Sequence, residues 1–130
     1  MNVHVGHFSD PAYLPGLAHF CEHMLFLGTS KYPSEGDLDS FLAKNGGSSN
    51  AYTSAEETCY FFSVNQEALM PALDRFSQFF ISPLFTAAAT DRELNAIESE
   101  HSKNIQQDSW RIDQVLKLRA NPQHPASKFG

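Results

Sequence analysis

A pair of histidines one helical turn apart, with a glutamate between them, constrains this chain more than any other stretch: His19-Phe20-Cys21-Glu22-His23. The segment around it, 16–29, predicts a helix opened by Pro15-Gly16 and closed at Gly28, with good helix formers between. Residues four apart on an α-helix are offset by roughly 40°, so His19 and His23 share a face and two imidazoles can meet one metal ion. Glu22 stands roughly 60° off that face. A carboxylate beside a metal, and not aimed straight at it, suits a general base acting on a water held at the site. The order His-x-x-Glu-His reverses the His-Glu-x-x-His zinc helix. Five residues alone also fit two surface histidines and a glutamate on an amphipathic helix. Cys21 is turned roughly to the side opposite His19 and is expected as a small core residue, not a soft ligand. A third ligand has to come from elsewhere in the chain.

The rest of the chain reads as alternating strands and helices. Val3 and Val5 alternate with Asn2 and His4, which predicts a strand at the first residue. His4 and His7 are expected to be solvated or hydrogen-bonded. A helix over 34–44 follows, with Ser34 as its cap, Asp37 in support, and Leu38, Phe41 and Leu42 as its apolar stripe. Two strands, 49–54 and 58–64, form a hairpin whose rings, Tyr52, Tyr60, Phe61 and Phe62, are expected mostly to pack one sheet face. A helix over 66–81 tolerates Pro71 in its opening turns and offers Leu69, Leu73, Phe76, Phe79 and Phe80 to the sheet. One long helix is predicted over 88–119, ended by Asn121-Pro122. A strand at the first residue and a tail without a capping element predict a domain cut at both ends.

That last helix carries the candidates for the missing ligand. Glu93 and Glu100 are seven apart and share a face, whereas Glu98 projects nearly opposite Glu100. Periodicity does not choose between Glu93 and Glu100. His101, turned roughly 100° from Glu100, is a rival. Composition removes other classes of function. A hydrophobic content of 42%, a charged content of 18% and a net charge of −6 fit a folded domain and argue against nucleic acid as partner. No apolar run has the length of a membrane span and no signal peptide is visible. Two cysteines without a Cys-x-x-Cys exclude a finger-type zinc cluster and favour a reducing compartment.

With these segments in view the chain resembles the M16 metallopeptidases, the inverzincins, in the branch of insulin-degrading enzyme and pitrilysin. The resemblance is carried by Ser9-Asp10-Pro11, the 16–29 block, Lys31-Tyr32-Pro33, Gly47-Ser48-Ser49-Asn50-Ala51 and Asp74-Arg75-Phe76. It continues through Pro83-Leu84-Phe85, Asp91-Arg92-Glu93, Ser99-Glu100-His101 and Asn121-Pro122 to Ser127-Lys128-Phe129-Gly130. It implies an α/β (α+β) sandwich of the LuxS/MPP-like metallohydrolase type, a mainly antiparallel sheet with packed helices, truncated at both ends. Residues 1–130 then form part of an N-terminal peptidase M16 catalytic domain. The resemblance further implies Zn2+ held by His19, His23 and Glu100, with Glu22 as catalytic base and Glu93 as the carboxylate that orients a histidine ligand. An edge strand for peptide substrates falls to Ser49, Asn50, Ala51, Tyr52 and Thr53. Cys21 matches a cysteine of the insulin-degrading branch. The family's second half supplies Arg and Tyr groups to the oxyanion, and this chain has no counterpart to them.

Two functions of different class follow. One is a zinc-dependent endopeptidase acting on peptides together with the remaining domains of a larger oligopeptide-degrading enzyme. The other is a catalytically inactive zinc-binding or interaction fragment. A cytoplasmic location is expected, with the periplasm as the alternative among relatives.

Overall fold

The computed structural model describes residues 1–127, so Lys128-Phe129-Gly130, the end of the resemblance, lies outside the described residues. A two-residue strand, β1 (Asn2–Val3), leads through a 3-10 turn at His7–Ser9 to helix α1 (Leu17–Leu25). Helix α2 (Asp37–Lys44) and the hairpin of β2 (Ser48–Thr53) and β3 (Thr58–Ser63) come next. Helices α3 (Leu69–Ile81), α4 (Ala87–Asn104) and α5 (Asp108–Leu118) complete the described chain. The sheet is antiparallel in the order β1-β3-β2, so β2 is an edge strand.

Alternation along the hairpin decides where the core forms, because successive side chains point to opposite faces. Tyr60 and Phe62 of β3, with Ala51 of β2, face α1, α2 and α3. Those helices contribute Leu25, Leu38, Leu42, Ala72 and Phe79. Edge-on ring pairs lock the layers together: Phe26 with Phe79 at 5.1 Å and Tyr60 with Phe80 at 5.3 Å between centroids. The opposite sheet face carries Tyr52 and Phe61, each about half exposed, so only Tyr60 and Phe62 of the expected four rings join the core. In α3 the buried stripe likewise runs through Ala72 and Phe79, leaving Leu69 and Leu73 exposed.

Turns around α1 depend on close backbone approach. Gly28 has φ 102° in the left-handed region, and a Cβ there would lie 2.8 Å from the Pro33 carbonyl oxygen. The loop beyond it is pinned to α3. Lys31 Nζ donates to both Asp74 carboxylate oxygens at 2.8 and 2.7 Å, and the Tyr32 hydroxyl donates to the same group. Arg75 stacks over Tyr32 and Phe41 and donates from Nε to Asp37 at 2.9 Å.

Two helix boundaries differ from expectation. The second helix starts at Asp37, not Ser34: Gly36 takes the cap position with φ 67°, and the Asp37 carboxylate is engaged by Arg75 instead of a capping partner. The single helix expected over 88–119 is two helices. Gln107 is extended, and the N–H groups of Ile105, Gln106 and Gln107 fold back onto the carbonyls of His101, Lys103 and Asn104. Asn104, Asp108 and Ser109 are of types with weaker helix propensity, which favours a break there. Among the described residues no helix is long and apolar enough to cross a membrane.

Leu42 is fully buried at the centre of the core. Leu42→Ala is expected to destabilise the fold by about 2–5 kcal/mol, whereas Met70→Ala, on an exposed position, changes little; urea unfolding midpoints compare them. The hydrogen bond from Lys31, then that from Tyr32, holds the Asp74 carboxyl below the usual carboxylate range. A depressed carboxylate stabilises the fold above its unfolded value of about 3.9 and loses that contribution as pH falls through the folded value. The stability gap between the unmodified protein and Asp74→Asn is therefore expected to close on acidification below about pH 4, read from unfolding midpoints across a pH series.

Candidate metal centre

Helix α1 is aimed by a carboxylate upstream of it. Asp10 Oδ2 accepts from the Gly16 N–H and Oδ1 from the Ala18 N–H, both at 2.8 Å. It thereby satisfies free donors of the first turn, and its charge complements the helix dipole. Ala18, Glu22, Met24 and Leu25 turn inward, which leaves His19 and His23 on the side facing α4.

The two histidine Nε2 atoms converge to 3.1 Å, with the rings edge to face at 83°. Glu100 Oε2, from α4, lies 3.8 Å from His19 Nε2 and 3.7 Å from His23 Nε2. His19, His23 and Glu100 form the group of metal-capable donors among the described residues. Tetrahedral zinc with bonds of about 2.0–2.1 Å spaces its ligands about 3.3 Å apart. Edges of 3.1 to 3.8 Å bracket that spacing. The donor set, two imidazoles and one carboxylate with room for water, is that of a catalytic zinc site. The cluster is consistent with Zn2+.

The heptad spacing of Glu93 and Glu100 sends the two carboxylates to different atoms of the same site. Glu93 Oε1 lies 2.6 Å from His23 Nδ1, the nitrogen turned away from the cluster. A proton held there fixes the tautomer and leaves the Nε2 lone pair pointing at the centre. Thr86 caps α4, its hydroxyl accepting from the Ala89 N–H at 3.2 Å, and Arg92 pairs with Glu35, so α4 is held at its first turns.

Glu22 is buried, and its Oε2 accepts a 2.5 Å hydrogen bond from the Thr53 hydroxyl. A cavity of about 820 Å³ opens over the cluster, walled by α1, α4 and the β2 edge, with Glu22 on its wall. Asn50, Ala51, Tyr52 and Thr53 line it. Ser49 does not, and its hydroxyl donates to Asp39. Beyond the pairing with β3, the outer side of β2 has no strand partner among the described residues. Asn50 Oδ1 accepts from the Ala51 N–H at 2.9 Å, which blunts that edge.

Other candidates stand apart from the cluster. His101 and Glu98 lie on the cavity wall outside the donor group. His4 is exposed, and His7 is half-buried near Asp10, its imidazole pushed below the ordinary range by burial. Cys21 is exposed, contrary to the core position expected for it. Its place on α1 falls between buried neighbours, but no described element covers it, and partial desolvation pushes the thiol up. Sequence reasoning missed the Asp10 cap and the Thr53 contact with Glu22. Each joins residues that no periodic rule relates; the Asp-Pro turn before the helix was the one available signal for Asp10.

A family model described as Insulinase (Peptidase family M16) matches residues 1–123. The chain is similar to insulin-degrading enzyme of Mus musculus, 57% identical over 130 residues, covering 100% of this chain and 13% of that protein. It is 55% identical over 129 residues to the A-factor-processing enzyme of Saccharomyces cerevisiae, covering 99% of this chain and 13% of that protein. A crystal structure of pitrilysin superposes with a TM-score of 0.91 at 38% identity, covering 99% of this chain and 14% of that one. The chain thus spans about an eighth of the length of the relatives it matches.

Removing the charge of Glu93, which meets His23 Nδ1 at 2.6 Å, tests the arrangement around the cluster. Glu93→Gln is expected to weaken zinc binding about 10- to 100-fold, measured by competition with a chromophoric chelator. Glu98→Gln, outside the donor group, leaves zinc affinity unchanged.

Proposed function

Because this chain belongs to the insulinase family of M16 peptidases, we propose that it carries the zinc centre of an endopeptidase that hydrolyses peptides, as part of a larger enzyme. In this reading residues 1–130 are part of an N-terminal catalytic domain, completed by the remaining domains of the full-length protein. The observation that carries the proposal is the convergence of His19 and His23 Nε2 with Glu100 Oε2 beside the buried Glu22. Relatives named for insulin degradation and A-factor processing favour oligopeptides as the substrate class. The two cysteines are free, which fits a reducing, cytoplasmic location.

His19, His23 and Glu100 are assigned as ligands, with Glu93 holding His23 in its ligating tautomer. Zinc held by these residues would supply Lewis acidity to the attacking water and to the scissile carbonyl. Glu22 takes the proton of the attacking water and delivers it to the leaving amine. An extended peptide joins the free edge of β2, where the main chain of Ser49, Asn50, Ala51, Tyr52 and Thr53 provides strand pairing and the side chains provide the wall. For the peptide to engage the Ala51 N–H, the Asn50 side chain has to release it.

Glu22→Gln in the full-length protein is expected to retain zinc at unchanged stoichiometry and to lower peptide hydrolysis by about 10²-fold or more, followed with a fluorogenic peptide. Hydrolysis retained with zinc bound rejects Glu22 as the base. Zinc bound without chelator-sensitive cleavage in the unmodified protein rejects the peptidase reading in favour of a binding module.

A further inference from the structure

We propose that Thr53 is a positioning residue for Glu22, its hydroxyl holding one carboxylate oxygen so that the other faces the reaction site. The inference rests on the reading of Glu22 as the base and adds to it a residue from the substrate-facing strand.

Glu22 is only 7% exposed. A buried carboxylate without hydrogen-bond partners is costly, so whatever donates to it also decides where it points. Among the described residues the Thr53 hydroxyl is the one donor to it, at 2.5 Å to Oε2. The contact joins α1 to the last residue of β2 across 31 positions of chain.

A count of hydrogens shows why the Thr53 hydroxyl is directed this way. Thr58 Oγ1 donates its single proton to the Val5 carbonyl at 2.8 Å. Thr53 Oγ1 lies 3.2 Å from Thr58 Oγ1 and 2.5 Å from Glu22 Oε2. Thr58 has no second proton to offer, so Thr53 must be the donor in whichever bond it makes. Of the two oxygens within reach, Glu22 Oε2 is the nearer and accepts that proton. The Thr58 tie to Val5 and the Thr53–Thr58 strand register keep this pair of hydroxyls in place. With Oε2 engaged, Oε1 is left as the oxygen that exchanges the proton.

The strand addition proposed above uses the main chain of Thr53, while this role uses its hydroxyl. Side-chain substitutions therefore separate the two. In the full-length, zinc-loaded protein, Thr53→Val is expected to lower kcat about 10- to 100-fold, with KM for a fluorogenic peptide and zinc stoichiometry unchanged. Thr53→Ser restores the hydroxyl and is expected to recover most of kcat. A crystal structure of the Thr53→Val protein is expected to show Glu22 in more than one rotamer. An unchanged kcat overturns the proposal. So does a rise in KM alone, which assigns the side chain to peptide binding, or loss of zinc, which assigns it to site assembly. A serine variant as impaired as the valine one also overturns it. Absence of chelator-sensitive cleavage in the unmodified protein defeats the peptidase reading itself and is seen before any variant is made.

Discussion

Two imidazole nitrogens held 3.1 Å apart, each able to present a lone pair, repel one another unless a proton or a cation lies between them. The surroundings are arranged around that fact. Glu93 engages Nδ1 of His23 at 2.6 Å, which commits the opposite nitrogen of that ring to accepting. Glu100 brings a negative charge to within 3.8 Å of both rings. A cation is favoured over a neutral hydrogen bond because three donors then act on it together.

Support for this small group of atoms reaches far into the fold. The rings stand on α1, which Asp10 caps from outside the helix and Gly28 closes with a left-handed backbone that no larger side chain could match beside Pro33. The buried side of α1 packs over Tyr60 and the α2 and α3 cores, so the metal-facing side has one orientation. The Glu22 carboxylate is clamped from the sheet by Thr53, and Glu100 arrives from α4. Three separate stretches, α1, β2 and α4, thus converge on the walls of the same cavity.

Much of this was legible in the residues, and the part that was not has a physical explanation. Helical period alone places His19 beside His23 and Glu93 in line with Glu100, because angles around an axis follow from counting. Counting gives directions and no partners, so it left Glu93 and Glu100 as equal candidates. The fold assigns them to the two nitrogens on opposite sides of one ring. Alternation likewise located the hairpin but not which rings meet the helices, and Tyr52 and Phe61 took the outer face. The break at Gln107 and the exposure of Cys21 depend on weaker local helix propensity and on what covers a surface. Neither leaves a periodic mark.

Helix α4 is solvent-exposed along most of its length, and besides its first-turn anchors it is held chiefly through its contacts with α1. The donor group spans that joint, with two members on α1 and one on α4. An ion there acts as a cross-link between segments more than seventy-five residues apart in the chain. Its binding free energy adds to the docking of α4, so occupancy and the tightness of that joint rise and fall together.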